Sequence, residues 1–306
     1  MKPRDVDLST TIGSVRLASA ILTASGTSGH DAELGAYGDL AELGAVVVKS
    51  LAVYAWPGNP APRVAPAGEG MVNAVGLQGP GVEAWRRDGL PRLIDRRATV
   101  VASIWGRTVE EFAAAADALR GAEVVAVEVN VSCPNLHDGS RMFAHSPTAT
   151  AEAVDAARRA GVPCWVKLSP NTDRLVDVAR AAVGAGAEAL VLVNTLRALV
   201  IDVERRERAL GAGSGGLSGA PLHPIALHWV AACHDALPDV PIVGVGGVRS
   251  AREVVAFVLA GASAVEVGTA SLADPRAPWR VTDDTRRWCS RHGVASLAEL
   301  RGHLNA

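Results

Sequence analysis

The stretch Val124-Val-Ala-Val-Glu-Val-Asn-Val-Ser-Cys-Pro-Asn135 passes from an apolar, β-branched run into polar and reactive side chains within a few residues. The segment from Val124 to Val131 reads as a short buried parallel strand, and Pro134 forbids its continuation. Asn130, Ser132, Cys133 and Asn135 therefore fall at the C-terminal end of a strand. In α/β architectures ligands bind at that edge, because a rigid sheet positions the loops that leave it.

Seven further strand-like runs surround this one: Ala20-Ile-Leu-Thr-Ala24, Ala45-Val-Val-Val-Lys-Ser50, Val100-Val-Ala-Ser-Ile104, Pro163-Cys-Trp-Val-Lys-Leu168, Ala189-Leu-Val-Leu-Val-Asn194, Pro241-Ile-Val-Gly-Val245 and Ala264-Val-Glu-Val-Gly268. Amphipathic stretches at 108–120, 149–160, 173–183, 221–237 and 250–259 alternate with them, and 283–304 reads as one or two outer helices. Eight βα units in 306 residues predict an α/β fold, a (β/α)8 TIM barrel occupying 1–306 as one domain. The alternative is a doubly wound open sheet, but no Gly-x-Gly-x-x-Gly follows the first strand. Thr11-Ile-Gly13 predicts an N-terminal hairpin that plugs one end of the barrel. Three long connections, at 51–81, 135–147 and 195–219, follow strand ends and so share one face.

Composition narrows the function. A formal net charge of -2 with no basic cluster speaks against nucleic acid or an anionic membrane surface. No apolar run reaches the roughly 20 residues that span a bilayer, and Met1-Lys-Pro-Arg-Asp5 lacks a signal-peptide core, so a cytoplasmic location is expected. Cys133, Cys164, Cys233 and Cys289 show no C-x-x-C spacing, which predicts reduced thiols and neither a structural metal nor an iron–sulfur cluster within this chain.

The chain uses arginine almost exclusively; its lysines are Lys2, Lys49 and Lys167. A lysine at a strand end then points to a compact point charge or a deprotonatable amine, against the alternative of accident. The strand ends together present Ser25 and Gly26, Lys49 and Ser50, Ser103, Asn130 with Cys133, Lys167, Asn194 with Thr195, Gly246 with Gly247, and Gly268 with Thr269. Amides that donate and accept at once suit a planar heterocycle, although a single Asn commonly just caps a turn. Glycines closing the seventh and eighth strands suit a phosphate. Cys133 is either a small buried hydrophobe or, as a thiolate, a base or nucleophile; His137 and His145 are the imidazoles in its loop. A Schiff-base lyase using Lys167 remains a second reading of the same rim.

Nine ordered strings, among them Gly58-Asn-Pro-Ala-Pro-Arg63, Asn73-Ala-Val-Gly-Leu-Gln78, Asn130-Val-Ser-Cys-Pro-Asn135, Val166-Lys-Leu-Ser-Pro-Asn171, Gly215-Gly-Leu-Ser-Gly219 and Gly244-Val-Gly-Gly247, resemble the class 1 dihydroorotate dehydrogenases along nearly the whole chain. The wording is most like subclass 1B, a catalytic subunit. The resemblance implies FMN at the barrel mouth and oxidation of dihydroorotate to orotate in pyrimidine biosynthesis. It also implies a homodimeric core and an electron-transfer subunit carrying FAD and an iron–sulfur cluster. Carried over, Cys133 is the base for the C5 proton, with Lys49 and Lys167 as charged catalytic groups. Ser25, Gly26, Lys49, Ser50, Ser103, Asn130, Lys167, Val193, Gly219, Gly246, Gly247, Gly268 and Thr269 would hold FMN. Lys49, Asn73, Ala74, Val75, Gly76, Leu77, Asn130, Asn135, Asn194 and Thr195 would hold the pyrimidine. Three places depart from the pattern: Ser103 and Gly79 each stand where the family usually has Asn, and residues 51–56 are atypical. They keep a flavin-dependent reductase of another pyrimidine open as an alternative.

Overall fold

In the computed structural model, residues 1–135 and 141–304 are described, with the side chains of Pro134 and Asn135 left out; His137 lies outside the described residues. All eight expected strands form, and they close into a barrel: β1 Ile21–Thr23, β2 Val46–Val47, β3 Val100–Ile104, β4 Ala126–Asn130, β5 Cys164–Leu168, β6 Ala189–Leu192, β7 Ile242–Val245 and β8 Ala264–Val267. Each strand pairs in parallel with its sequence neighbour, and β8 returns to β1. Every residue of β3 to β8 is buried, as strands enclosed by helices outside and packed side chains inside must be. The open-sheet alternative is thereby excluded.

The surrounding helices are α1 Val82–Asp95, α2 Val109–Leu119, α3 Pro147–Ala157, α4 Leu175–Gly184, α5 His223–Ala236, α6 Ala251–Leu259, α7 Thr269–Ala273 and α8 Ala277–His292. Side chains start several of them: Thr108 accepts from the Glu111 N–H, Ser146 from Ala149, and Ser250 forms a reciprocal capping box with Glu253. The expectation of eight βα units needs one correction. The crossover from β1 to β2 contains only 3-10 turns at Glu33–Ala36 and Leu40–Glu42. Helix α1 escaped the sequence reading because Gly89 and Pro91 interrupt its pattern; its buried Trp85 and Leu93 stabilise it through tertiary packing.

The N-terminal hairpin pairs Thr10–Ile12 with Val15–Leu17 and buries Ile12 and Leu17. Ser14 donates from both its N–H and its hydroxyl to Glu188, just before β6, and Thr10 donates to the Ser263 carbonyl just before β8. It therefore closes the N-terminal end, opposite the functional face.

At the functional face the 51–81 and 195–219 connections prove more regular than loops. Val64–Ala67, Gly70–Asn73, Gly215–Gly219 and Leu196–Ala198 join in one antiparallel sheet over a small core of Ala65, Val72, Ala74 and Leu210. Glycine-rich strands have little propensity of their own, so pairing across some 140 positions creates them. The close approach of two backbones also demands glycine: a Cβ on Gly215 would lie 2.3 Å from the Asn73 carbonyl oxygen.

Phe257 shows how tightly the barrel wall is filled. It is wholly buried, edge-on to His223 at 4.9 Å, and a Cβ on Gly244 would fall 2.6 Å from its ring. Phe257→Ala is expected to cost about 3–5 kcal/mol, read as a lower midpoint in denaturant unfolding; an unchanged midpoint would show that α6 does not stabilise β7.

Candidate active site

Strands β4, β5 and β8 each carry a charged residue into the barrel interior. Lys167 on β5 lies 2.6 Å from Glu266 on β8 and 3.3 Å from Glu128 on β4, and its ammonium also donates to Ser25 at 3.4 Å. Both carboxylates are fully buried. Burial pushes the Lys167 ammonium toward deprotonation, but the two carboxylates outweigh it, so the lysine is held charged. Burial drives Glu266 upward, only partly offset by Lys167 and reinforced by Glu128. One lysine between two carboxyls in a dry core needs only one of them ionised. Burial thus favours the protonated form of Glu266, whose Oε1 has no hydrogen-bond partner among the described residues.

From Glu128 the polar chain continues to the rim. Ser103 donates to Glu128 at 2.9 Å and shares a 2.8 Å hydrogen bond with Ser50. Asn130 donates to Ser50, and Asn194 donates to Asn130. Sequence reasoning missed Glu128 and Glu266, although an acid in the middle of an apolar strand was the available signal. Ser103 is fully buried and serves this network from behind the cavity wall instead of lining it.

Above the network opens a cavity of about 720 Å³. Of the expected residues, Ser25, Gly26, Lys49, Ser50, Asn73, Ala74, Val75, Gly76, Leu77, Asn130, Lys167, Val193, Asn194, Thr195, Gly219, Gly246, Gly247, Gly268 and Thr269 all line it. The rest of the wall includes Arg141, His145, Asn171 and Arg197, which sequence reading had not placed there; the described wall contains no Asp or Glu. A wall bearing several cations and no carboxylate suits anionic ligands.

The segment 73–77 is clamped from behind by the Gly58-Asn59 turn. Asn59 donates its side-chain amide to the Ala74 carbonyl and its N–H to that of Val75, while the Trp56 indole donates to Gly76. Gly76 and Leu77 both take positive φ, +75° and +62°, and a Cβ on Gly76 would meet Asn59 at 2.5 Å. A leucine in the left-handed region is held strain at a binding wall.

Lys49 has no ion pair among the described residues. Burial, and then the Lys167 charge, lower its pKa to about 8. Of the two strand-end lysines, then, Lys49 is the one that titrates near neutrality. Cys133 is not in the wall. Its thiol is fully buried, donates to the Gly106 carbonyl at 2.8 Å, and is pushed up to about 12 by burial. The Asn135 side chain lies outside the described residues.

A profile of the family described as dihydroorotate dehydrogenase matches residues 7–287. The chain belongs to the dihydroorotate dehydrogenase family. It is 45% identical over 293 residues to "Dihydroorotate dehydrogenase B (NAD(+)), catalytic subunit" of Desulforudis audaxviator, covering 95% of each chain. Proteins of the same name from Trichlorobacter lovleyi and Alkaliphilus metalliredigens are 41% and 40% identical, with 99% and 98% of this chain covered and 99% of each relative. The subclass 1B resemblance read from the motifs agrees with these names. The family is flavin-dependent and oxidises dihydroorotate in pyrimidine biosynthesis.

Lys49 generates a pH prediction. A ligand carboxylate meeting Lys49 needs the ammonium form, so affinity is full below pH 8 and falls as pH rises through it, by at most roughly tenfold per pH unit. Orotate titrated into the protein from pH 7 to 9 should show this decline, and Lys49→Met should flatten it. Equal affinity across that range in the parent would show that Lys49 does not meet the ligand carboxylate.

Proposed function

We propose that this cavity oxidises dihydroorotate to orotate with bound FMN, with Cys133 as the base. The observation that carries the reading is a wall in which Lys49, Lys167 and three amides, Asn73, Asn130 and Asn194, converge beside a glycine cradle, with no carboxylate among its described residues. The cradle fits a phosphate. Gly246 and Gly247 take φ of +140° and +71°, and a Cβ on either would strike Ala226 or His223 within 2.9 Å. Side chains are thus excluded where backbone N–H groups must approach an anion. When bound, FMN supplies the acceptor for the hydride from C6.

In this reading Lys167, kept charged by Glu128 and Glu266, stabilises negative charge at the flavin. Lys49 and the amides orient the pyrimidine and its carboxylate. Cys133 removes the C5 proton, and for that its thiol must turn from Gly106 toward the cavity and lose its own proton. The Schiff-base alternative loses its support, because an amine held charged between two carboxylates is a poor nucleophile. The two departures at Ser103 and Gly79 leave the wall of lysines and amides intact, which favours dihydroorotate over another pyrimidine.

The relatives' names carry NAD(+) and "catalytic subunit". We infer that electrons leave toward NAD through a partner subunit with FAD and an iron–sulfur cluster, around a homodimeric core. The absence of C-x-x-C spacing in this chain supports placing the cluster on the partner. No helix among the described residues is long and apolar enough to cross a membrane. Four free cysteines accord with a reducing, cytoplasmic setting.

Anaerobic addition of dihydroorotate to the yellow protein should bleach the flavin band. A flavin that stays oxidised would overturn the substrate assignment. Cys133→Ala should retain FMN yet slow the bleaching by about 10²-fold or more; bleaching at the parent rate would assign the base elsewhere. Lys167→Ala leaves two buried carboxyls without their cation, and a loss of about 3–5 kcal/mol in stability is expected, together with weaker FMN retention. A variant as stable and as yellow as the parent would refute both roles.

A further inference from the structure

The Gly246-Gly247 turn that closes β7 is held from behind by an imidazole. His223 Nδ1 lies 3.0 Å from the Gly246 carbonyl oxygen. A carbonyl oxygen only accepts, so the ring carries its hydrogen on Nδ1 and donates. His223 opens helix α5, and packing sets its ring: it stands perpendicular to Phe257 at 4.9 Å, and its Cβ would lie 2.8 Å from a Cβ on Gly247. His223 itself stands outside the cavity wall, which Gly246 and Gly247 line.

This bond decides where an N–H points. The Gly246–Gly247 peptide is trans, and in a planar trans peptide the C=O and the N–H point in opposite directions. With the Gly246 carbonyl drawn back to His223, the Gly247 N–H faces the cavity, and it has no hydrogen-bond partner among the described residues. A restraint from outside is needed here, because two successive glycines at φ of +140° and +71° have no side chains of their own to fix the peptide between them. The wall around the turn, from 215–222, 245–247 and 268–272, contributes no charged side chain. An anion seated there meets N–H groups and the hydroxyls of Ser218 and Thr269, which share a 2.8 Å hydrogen bond. The direction of each N–H therefore matters to its affinity.

We propose that His223 is a positioning residue for the flavin phosphate: through the Gly246 carbonyl it aims the Gly247 N–H at the phosphate, and so sets the preference for FMN over a flavin that lacks one. The inference rests on the reading of the 246–247 cradle as the phosphate site. His223 acts on the ligand only through the peptide, and no proton is transferred. Two substitutions separate its donor from its bulk. Asparagine offers a side-chain N–H at a similar distance from the backbone without the ring, whereas phenylalanine fills the space against Phe257 without a donor.

The test is competition on the holoprotein. The FMN-loaded chain is equilibrated with graded riboflavin, and the FMN displaced is measured; the midpoint reports the preference for FMN, to which only the phosphate contributes. Damage to the flavin site as a whole weakens both ligands and leaves that ratio unchanged, so a merely structural role does not move it. His223→Phe is expected to lower the preference about tenfold, the order for one hydrogen bond to a charged group, while His223→Asn keeps it near the parent value. His223→Ala, which makes no packing demand, serves the same comparison if the phenylalanine does not fold. An unchanged ratio in the donor-less variants, or an Asn variant as poor as the Phe variant, overturns the role of His223 and leaves the cradle standing. A parent that binds riboflavin as well as FMN overturns the phosphate reading of the cradle, and this inference with it.

Discussion

A single buried ammonium, Lys167 between Glu128 and Glu266, sets the conditions for everything above it. Three strands of a barrel interior would ordinarily meet in aliphatic packing, and a lone charge there would be prohibitively costly. Two carboxylates keep the lysine charged, and the lysine lets at least one of them stay ionised. Remove the lysine and an ionised carboxylate is left uncompensated in a dry core. The barrel is thus committed to presenting a fixed positive charge at the floor of its cavity.

From that floor the polar chain rises in order through Ser103, Ser50, Asn130 and Asn194, each side chain oriented by the one below. Ser103 is instructive. Its side chain stops at Glu128 and Ser50, and it is Ser50 that lines the cavity. The wall opposite is organised by backbone instead: the Asn59 and Trp56 side chains hold 73–77 by its carbonyls, and positive φ at Gly76 and Leu77 turns the chain along the cavity. Lys49, His145 and Ser132 line the same cavity, and the Ser132 hydroxyl and His145 Nε2 have no hydrogen-bond partner among the described residues.

Much of this was legible in advance. Eight β-branched runs gave the barrel, because a strand buried on both faces needs nothing beyond a short apolar sequence. Residues at the ends of those runs had to share one face, so Lys49, Asn130, Lys167, Asn194 and the Gly246-Gly247 pair could be grouped before any coordinates. The long connections were legible only as long connections. Their strands, such as Gly215–Gly219, are built by partners far away in the chain, and no local pattern announces them. The direction of a side chain was equally hidden: Cys133 and Ser132 are neighbours with the same polar context, yet one faces the Gly106 carbonyl and the other the cavity.

The sequence alone determined the class of fold, the face that carries the site and the family of the protein, since all three depend on residue type and order along the chain. The tertiary structure decided which charges meet. Glu128 and Glu266 are 138 positions apart and acquire their meaning only when barrel closure brings β8 beside β1 and both within reach of one lysine. Electrostatic energy depends on separation in space and on exclusion of water, and neither is written in the spacing of residues.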